Sequence, residues 1–220
     1  MSATAVLARE PATPEHDSEK RRQILEGARQ AFLAQGFDGA SMNDIVRAAG
    51  VSKATVYAYF PSKEKLFEAL VSDDKRQAVE QTFSRYIGDT RPAREVLTDI
   101  ARNLSGLMCM KPSMSYARTV IAASAKFPDI GRAFYEAGPK YGATILANFL
   151  RARVASGEFK IEDADLAAMQ FQDLCLSSIV KPLLYSCPVD ISPQRLEHVA
   201  QSAVRVFFAA YGTDEASRKL

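Results

Sequence analysis

Apolar residues recur along this chain at the three-to-four spacing of helices, and nowhere does it alternate with the period of two that a half-buried strand requires. Ile24, Ala28 and Phe32 stand four apart and predict a first helix ending at the turn Gly36-Phe37-Asp38-Gly39. Ser41 then marks an N-cap, with Asp44 three residues on as a short-armed capping box, ahead of the apolar Ile45, Val46, Ala48 and Ala49. Gly50 supplies the left-handed stop. A further helix opens at Ser52 and reaches Phe60, where Pro61 ends it; Val51 fills the angle between the two. A long helix runs from Lys63 through Leu66, Phe67, Leu70, Val71 and Val79 towards Tyr86. Beyond it the pattern stays helical, with breaks at Gly88 to Pro92, Lys111 to Ser113, Phe127-Pro128, Gly138-Pro139, Gly157 to Glu162 and Ser186 to Pro193. The fold class is therefore all-α.

Two short helices joined by a glycine turn are the layout of a helix-turn-helix, whose second helix enters a DNA groove. In that second helix Val56 and Phe60 face inward, which leaves Lys53, Thr55, Tyr57, Ala58 and Tyr59 outside. Hydroxyls and a lysine suit phosphates and base edges, the other reading being that the tyrosines pack on neighbouring helices. Lys63 falls in the first turn of the next helix, where its ammonium and the helix N-terminus can both meet a phosphate. The expected DNA-contacting set is Ser41, Met42, Ser52, Lys53, Ala54, Thr55, Tyr57, Ala58, Tyr59 and Lys63.

From Arg21 to Ala69 the chain closely resembles the DNA-binding domain of TetR-family transcriptional regulators, through Asp44-Ile45, Ala49-Gly50-Val51-Ser52, Val56-Tyr57, Tyr59-Phe60 and Lys63-Glu64-Lys65-Leu66. The resemblance implies a homodimer on double-stranded operator DNA, each subunit placing residues Ser52 to Phe60 in the major groove. It also implies a larger helical domain that binds a small molecule and dimerises. Two positions depart from the family pattern: Ala54 stands where glycine is frequent, and Ala58 where a large or basic residue is usual. The expected domains are a flexible arm over residues 1–19, the three-helix DNA-binding domain over 20–66, and the ligand-binding and dimerisation domain over 67–220.

Composition refines this picture. A net charge of +2 conceals eight basic against four acidic residues between Lys20 and Leu66, a modest basic surface on the smaller domain. The first twenty residues carry two prolines and lean acidic, so they read as an arm and not as a signal peptide or a basic minor-groove tail. No segment approaches the roughly 20 apolar residues of a membrane span, which points to the cytoplasm and to no membrane partner. Cys109, Cys175 and Cys187 are expected reduced and mostly buried. With only His16 and His198 and no glycine-rich phosphate loop, neither a catalytic residue, a metal site nor a cofactor is expected, and the chain does not read as an enzyme.

The middle of the chain collects methionines and aromatics, from which Met108, Tyr116, Phe134, Tyr141 and Phe171 are assigned to a pocket for a small apolar or aromatic effector, core packing being the other reading. Arg118, Gln170, Gln172 and Asp173 are its candidate polar handles. The stretch from Phe127-Pro128-Asp129-Ile130-Gly131 to Gly138-Pro139 resembles the ligand domain of the AefR-like subgroup. In the last helix Val199, Ala200, Ala203, Val204 and Phe207 form a stripe assigned to the dimer interface; burial within one subunit would explain it too. The function expected is a regulator, most simply a repressor released by its effector; the alternative is a DNA-binding dimer without small-molecule control.

Overall fold

The computed structural model describes residues 14–213, whose regular structure is helical apart from one isolated antiparallel bridge between Phe159 and Gly212. It divides into two compact units between Leu70 and Val71, a few residues beyond the expected boundary. The first contains α1 (Pro14–Gly39), α2 (Met42–Ala49), α3 (Lys53–Tyr59) and the start of α4 (Lys63–Phe83). Residues 14–19, expected in a flexible arm, are thus already helical, and the rest of that arm lies outside the described residues.

Three local devices shape the first unit. Gly36, at φ 72°, breaks α1 so that Phe37 folds back, and Phe32, Phe37 and Phe67 form one aromatic cluster with ring centres 4.8–5.9 Å apart. Gly27 lets α1 and α2 touch backbone to side: a Cβ there would lie 2.6 Å from the Cα and Cβ of Ala49. At the same crossing Gln23 donates its side-chain amide to the Ala49 carbonyl at 2.8 Å, satisfying an end group that α2 itself cannot.

The second unit contains the remainder of α4, a 3-10 turn (Ser84–Tyr86), α5 (Ala93–Cys109), α6 (Lys111–Ser124), α7 (Pro128–Tyr135), α8 (Tyr141–Ala155), α9 (Ala164–Leu176), α10 (Val180–Leu184) and α11 (Pro193–Tyr211). Its core joins Leu97, Ile100 and Ala101 of α5, Leu146 and Leu150 of α8, Phe171 of α9 and Phe207 of α11. Glu158 organises one corner. Pro92, at the N-cap of α5, has no side-chain acceptor to offer; the Glu158 carboxylate takes the Ala93 N–H at 3.0 Å instead and pairs with Arg153 at 2.7 Å.

Two expectations about breaks are corrected. Gly138-Pro139 does not interrupt the chain; residues Glu136–Lys140 form a π-helical turn that joins α7 to α8. The wider turn accommodates a proline, which lacks an N–H and crowds the carbonyl four residues back. The stretch between the breaks expected at Gly157 to Glu162 and at Ser186 to Pro193 is not one helix but is itself broken at Ser177–Ile179, where Ser178 takes φ 64°, ahead of Pro182. Of the cysteines, Cys175 is buried and Cys109 half-buried, but Cys187 is exposed, contrary to expectation.

Gly27→Ala should destabilise the first unit by roughly 1–3 kcal/mol, because α1 and α2 must separate to admit the methyl group; a thermal or urea melt equal to the parent's would disprove the tight crossing. The Glu158 carboxyl is costly to bury, but the Ala93 N–H and Arg153 outweigh that and hold its pKa below the ordinary carboxylate value. A depressed carboxylate stabilises the fold above its unfolded pKa and loses that contribution as pH falls through the folded one. Glu158→Gln should therefore cost about 1–2 kcal/mol at neutral pH and make the acid limb of a stability-against-pH curve shallower.

Candidate functional site

The recognition helix is held by its ends. Ser41 caps α2 by accepting the Asp44 N–H at 3.2 Å while its own N–H donates to the Asp44 carboxylate at 3.1 Å, a closed capping box. The Ser41 hydroxyl also donates to that carboxylate, and these bonds hold the Asp44 pKa below its usual value. Gly50, at φ 64°, ends α2 by donating its N–H to the Val46 carbonyl. Ser52 caps α3 by accepting the Thr55 N–H at 3.1 Å, and the two hydroxyls share a hydrogen bond of 2.7 Å. Phe60 then turns extended, as the residue before a proline must, and is buried with Val56.

This geometry sorts the ten expected DNA-contacting residues. Lys53, Ala54, Tyr57 and Ala58 are exposed and lie together on one side of α3, with Tyr57 at 41% exposure and the Lys53 ammonium 5.9 Å from its ring centre. Thr55 and Met42 are half-buried, and the hydroxyls of Ser41, Ser52 and Thr55 already have partners within the chain. Tyr59 is half-buried and donates its hydroxyl to Asp17 of α1. Lys63, expected on a phosphate, directs its ammonium at three carbonyls closing α1, those of Phe37 (2.7 Å), Ala40 (3.0 Å) and Asp38 (3.3 Å), above the Phe37 ring. An ammonium has three protons, and three acceptors occupy them.

In the second unit the five residues assigned to an effector pocket separate. Tyr116 and Phe134 come together, with ring centres 6.4 Å apart. The Tyr141 ring lies 5.0 Å from the Arg76 guanidinium, and its hydroxyl donates to Glu80 at 3.4 Å. Met108 is half-buried on α5. Phe171 is corrected to core: it is fully buried and packs edge-on against Phe207 at 5.1 Å. Of the expected polar handles, Arg118 donates to the Leu183 carbonyl at 2.8 Å and Gln170 accepts from the Tyr211 hydroxyl. A mainly apolar cavity of about 240 Å³ lies elsewhere, lined in part by Phe83, Tyr86, Ile100, Ile145 and Phe149, and falls short of the roughly 300 Å³ at which small-molecule pockets begin.

The dimer assignment is corrected as well. Val199, Ala200, Ala203, Val204 and Phe207 are all buried inside the single chain, none more than 6% exposed, so the stripe on α11 faces its own core. The outward apolar residues on α9 and α11 are instead Leu166 (50% exposed), Met169 (38%) and Val206 (47%). Among the described residues no helix is long and apolar enough to cross a membrane, and no group of side chains is arranged to hold a metal.

Comparison with known proteins agrees with this architecture. Residues 24–70 match the model of the bacterial regulatory proteins of the tetR family, and residues 95–213 match that of the AefR-like transcriptional repressor C-terminal domain. The HTH-type transcriptional repressor AcnR of Corynebacterium efficiens is 38% identical over 69 residues, which are 31% of this chain and 37% of that protein. The chain thus spans well under half of that relative's length. Similarity to solved structures is more extensive. A TetR-family transcriptional regulator from Mesorhizobium loti aligns with TM-score 0.83 and 28% identity over 92% of this chain and all of that one. The flavonoid-responsive regulator FrrA aligns with TM-score 0.75 and 30% identity over 90% of this chain and 99% of that one. With a family model covering each of its two units, the chain belongs to the TetR family of bacterial transcriptional regulators.

Proposed function

We propose that the protein is a homodimeric repressor that binds double-stranded operator DNA through α3 and releases it when an apolar or aromatic small molecule enters the second unit. The observation that carries the DNA-binding reading is the exposed quartet Lys53, Ala54, Tyr57 and Ala58 on a doubly capped two-turn helix. Tyr57 and Lys53 bring a hydroxyl, a flat ring and a charge. The alanines either side of Tyr57 let the helix backbone come close to the bases and offer methyl groups to thymine. The departures from the family pattern at Ala54 and Ala58 thus belong to the reading face itself. Lys63 acts in this reading as the tie between α1 and α4 that sets the angle of the recognition helix.

The flavonoid response in the name of FrrA, which aligns over 90% of this chain, supports an aromatic effector. Dimerisation through the outer faces of α9 and α11 is supported by Leu166, Met169 and Val206, three large apolar side chains left outside on neighbouring helices.

Operator sequences selected from random duplexes, followed by affinity measurements over a salt series, test the DNA reading. Lys53→Ala should lower the log–log salt slope by about 1 per subunit, because it deletes a phosphate contact. Tyr57→Ala should cost roughly 1–3 kcal/mol per half-site and relax base preference. Lys63→Met should instead act on stability, lowering it by about 1.5–3 kcal/mol as three carbonyls lose a charged donor. If Lys63→Met lowered the salt slope without changing the melt, Lys63 would be a phosphate contact after all. For the dimer, Val206→Glu combined with Met169→Glu should give folded monomers with weakened operator affinity, because half-sites one helical turn apart need two heads held together. Sedimentation of that variant as an intact dimer would exclude this face.

A further inference from the structure

Lys75 lies on α4 within Ser72-Asp73-Asp74-Lys75-Arg76, a run that reads as a solvated face. Its surroundings are different. The ammonium stands 4.5 Å from the ring centre of Phe134 on α7 and 5.6 Å from that of Tyr116 on α6. Its stem rests on Gly138 of the π-helical turn, where a Cβ would come within 3.5 Å of the lysine's own Cβ and Cδ. Three segments of the second unit therefore meet on one lysine of α4. Among the described residues its ammonium makes no hydrogen bond or ion pair; what it has is two aromatic faces and the nearby charge of Asp74. Burial disfavours its charged form and lowers its pKa, with Asp74 opposing.

A half-buried ammonium has three donors to satisfy, and aromatic faces offer attraction but no lone pair. An acceptor supplied from outside would complete the group, and an anion does so best because it also offsets the cost of burying the charge. A cationic ligand would be repelled by the ammonium, whereas an anion adds a hydrogen bond and stabilises the charged form that burial disfavours. We propose that Lys75, Tyr116 and Phe134 form the recognition site for an aromatic acid, with Lys75 donating to the ligand's carboxylate and the two rings offering contact to its apolar body. This assignment rests on the effector reading above and narrows it from any apolar or aromatic compound to an anionic aromatic one. Because Lys75 belongs to α4, the anion acts directly on the helix that continues into the DNA-binding unit.

Calorimetry on the full-length protein with naphthoate and with its neutral amide tests this assignment. The acid should bind at least about tenfold more tightly than the amide, the size of effect that a hydrogen bond to a charged group confers. Lys75→Met keeps the stem on Gly138 but removes the charge, and should abolish that preference of acid over amide; Lys75→Arg should retain it. The site is overturned if neither compound binds, if acid and amide bind the parent equally, or if Lys75→Met binds the acid as the parent does. Acid binding that depends on Lys75 but leaves operator affinity untouched would confirm the site and refute the effector reading. Release of operator by naphthoate that persists in Lys75→Met would do the reverse.

Discussion

A helix of seven residues cannot hold itself together in water, since nucleating it fixes several residues before the first hydrogen bonds compensate. The recognition helix α3 is of that length, and the arrangement of the first unit follows from the need to supply its stability from outside. Ser52 satisfies its first amides, Val56 and Phe60 anchor its inner side, and Tyr59 reaches across to Asp17 on α1. Around it, α1 and α2 are drawn together at Gly27, and the end of α1 is clasped by Lys63 at the start of α4. What is left outside is small: one tyrosine, one lysine and two alanines. Such a helix presents a preformed surface, because the groups that would otherwise let it fray are engaged behind it.

The second unit solves a different problem, that of burying many medium-sized helices with few large residues. Alanines at 0–2% exposure on α5, α8, α9 and α11 bring backbones close, and Phe159, Phe171, Phe207 and Phe208 fill the remaining space with tilted and edge-on ring contacts. Because α11 commits its apolar stripe to this core, any second subunit has to be met by the opposite side of the helix. That division of labour leaves α6, α7 and the π-helical turn outside the main core cluster, where they contact α4 through Lys75.

The parts legible in the sequence are those fixed by neighbouring residues. Ser41 with Asp44, Gly50, Ser52 and Pro61 each constrain backbone within a few positions, so the helix-turn-helix could be drawn residue by residue. What could not be read depends on partners distant along the chain. Gln23 and Lys63 look like ordinary polar residues until α1 is folded against Ala49 and α4. The breadth of the stripe on α11 shows that it must be covered, but carries no record of whether its own chain or a copy does so. Phe171 and Tyr116 are equally aromatic, yet one is locked against Phe207 and the other lies beside Phe134 and a lysine that reads as solvated. Only the spacing of Leu166 and Met169, outward on α9 beside the buried Ala167, Ala168 and Phe171, hinted at the true outer face.

The π-helical turn at Glu136–Lys140 bears on how this chain tolerates changes of length. A turn of that kind amounts to about one extra residue looped into an otherwise α-helical path, so the elements before and after it keep their faces. Elsewhere in a helix, gaining or losing one residue rotates everything downstream by about 100° and would turn Leu146, Ala147 and Leu150 of α8 away from the core. At this turn a one-residue deletion is absorbed by straightening the path. Gly138 would then leave the stem of Lys75 while α7 and α8 stayed packed. The segment is therefore a place where descendants of this sequence can alter what packs on the stem of Lys75 without having to reinvent the fold that carries it.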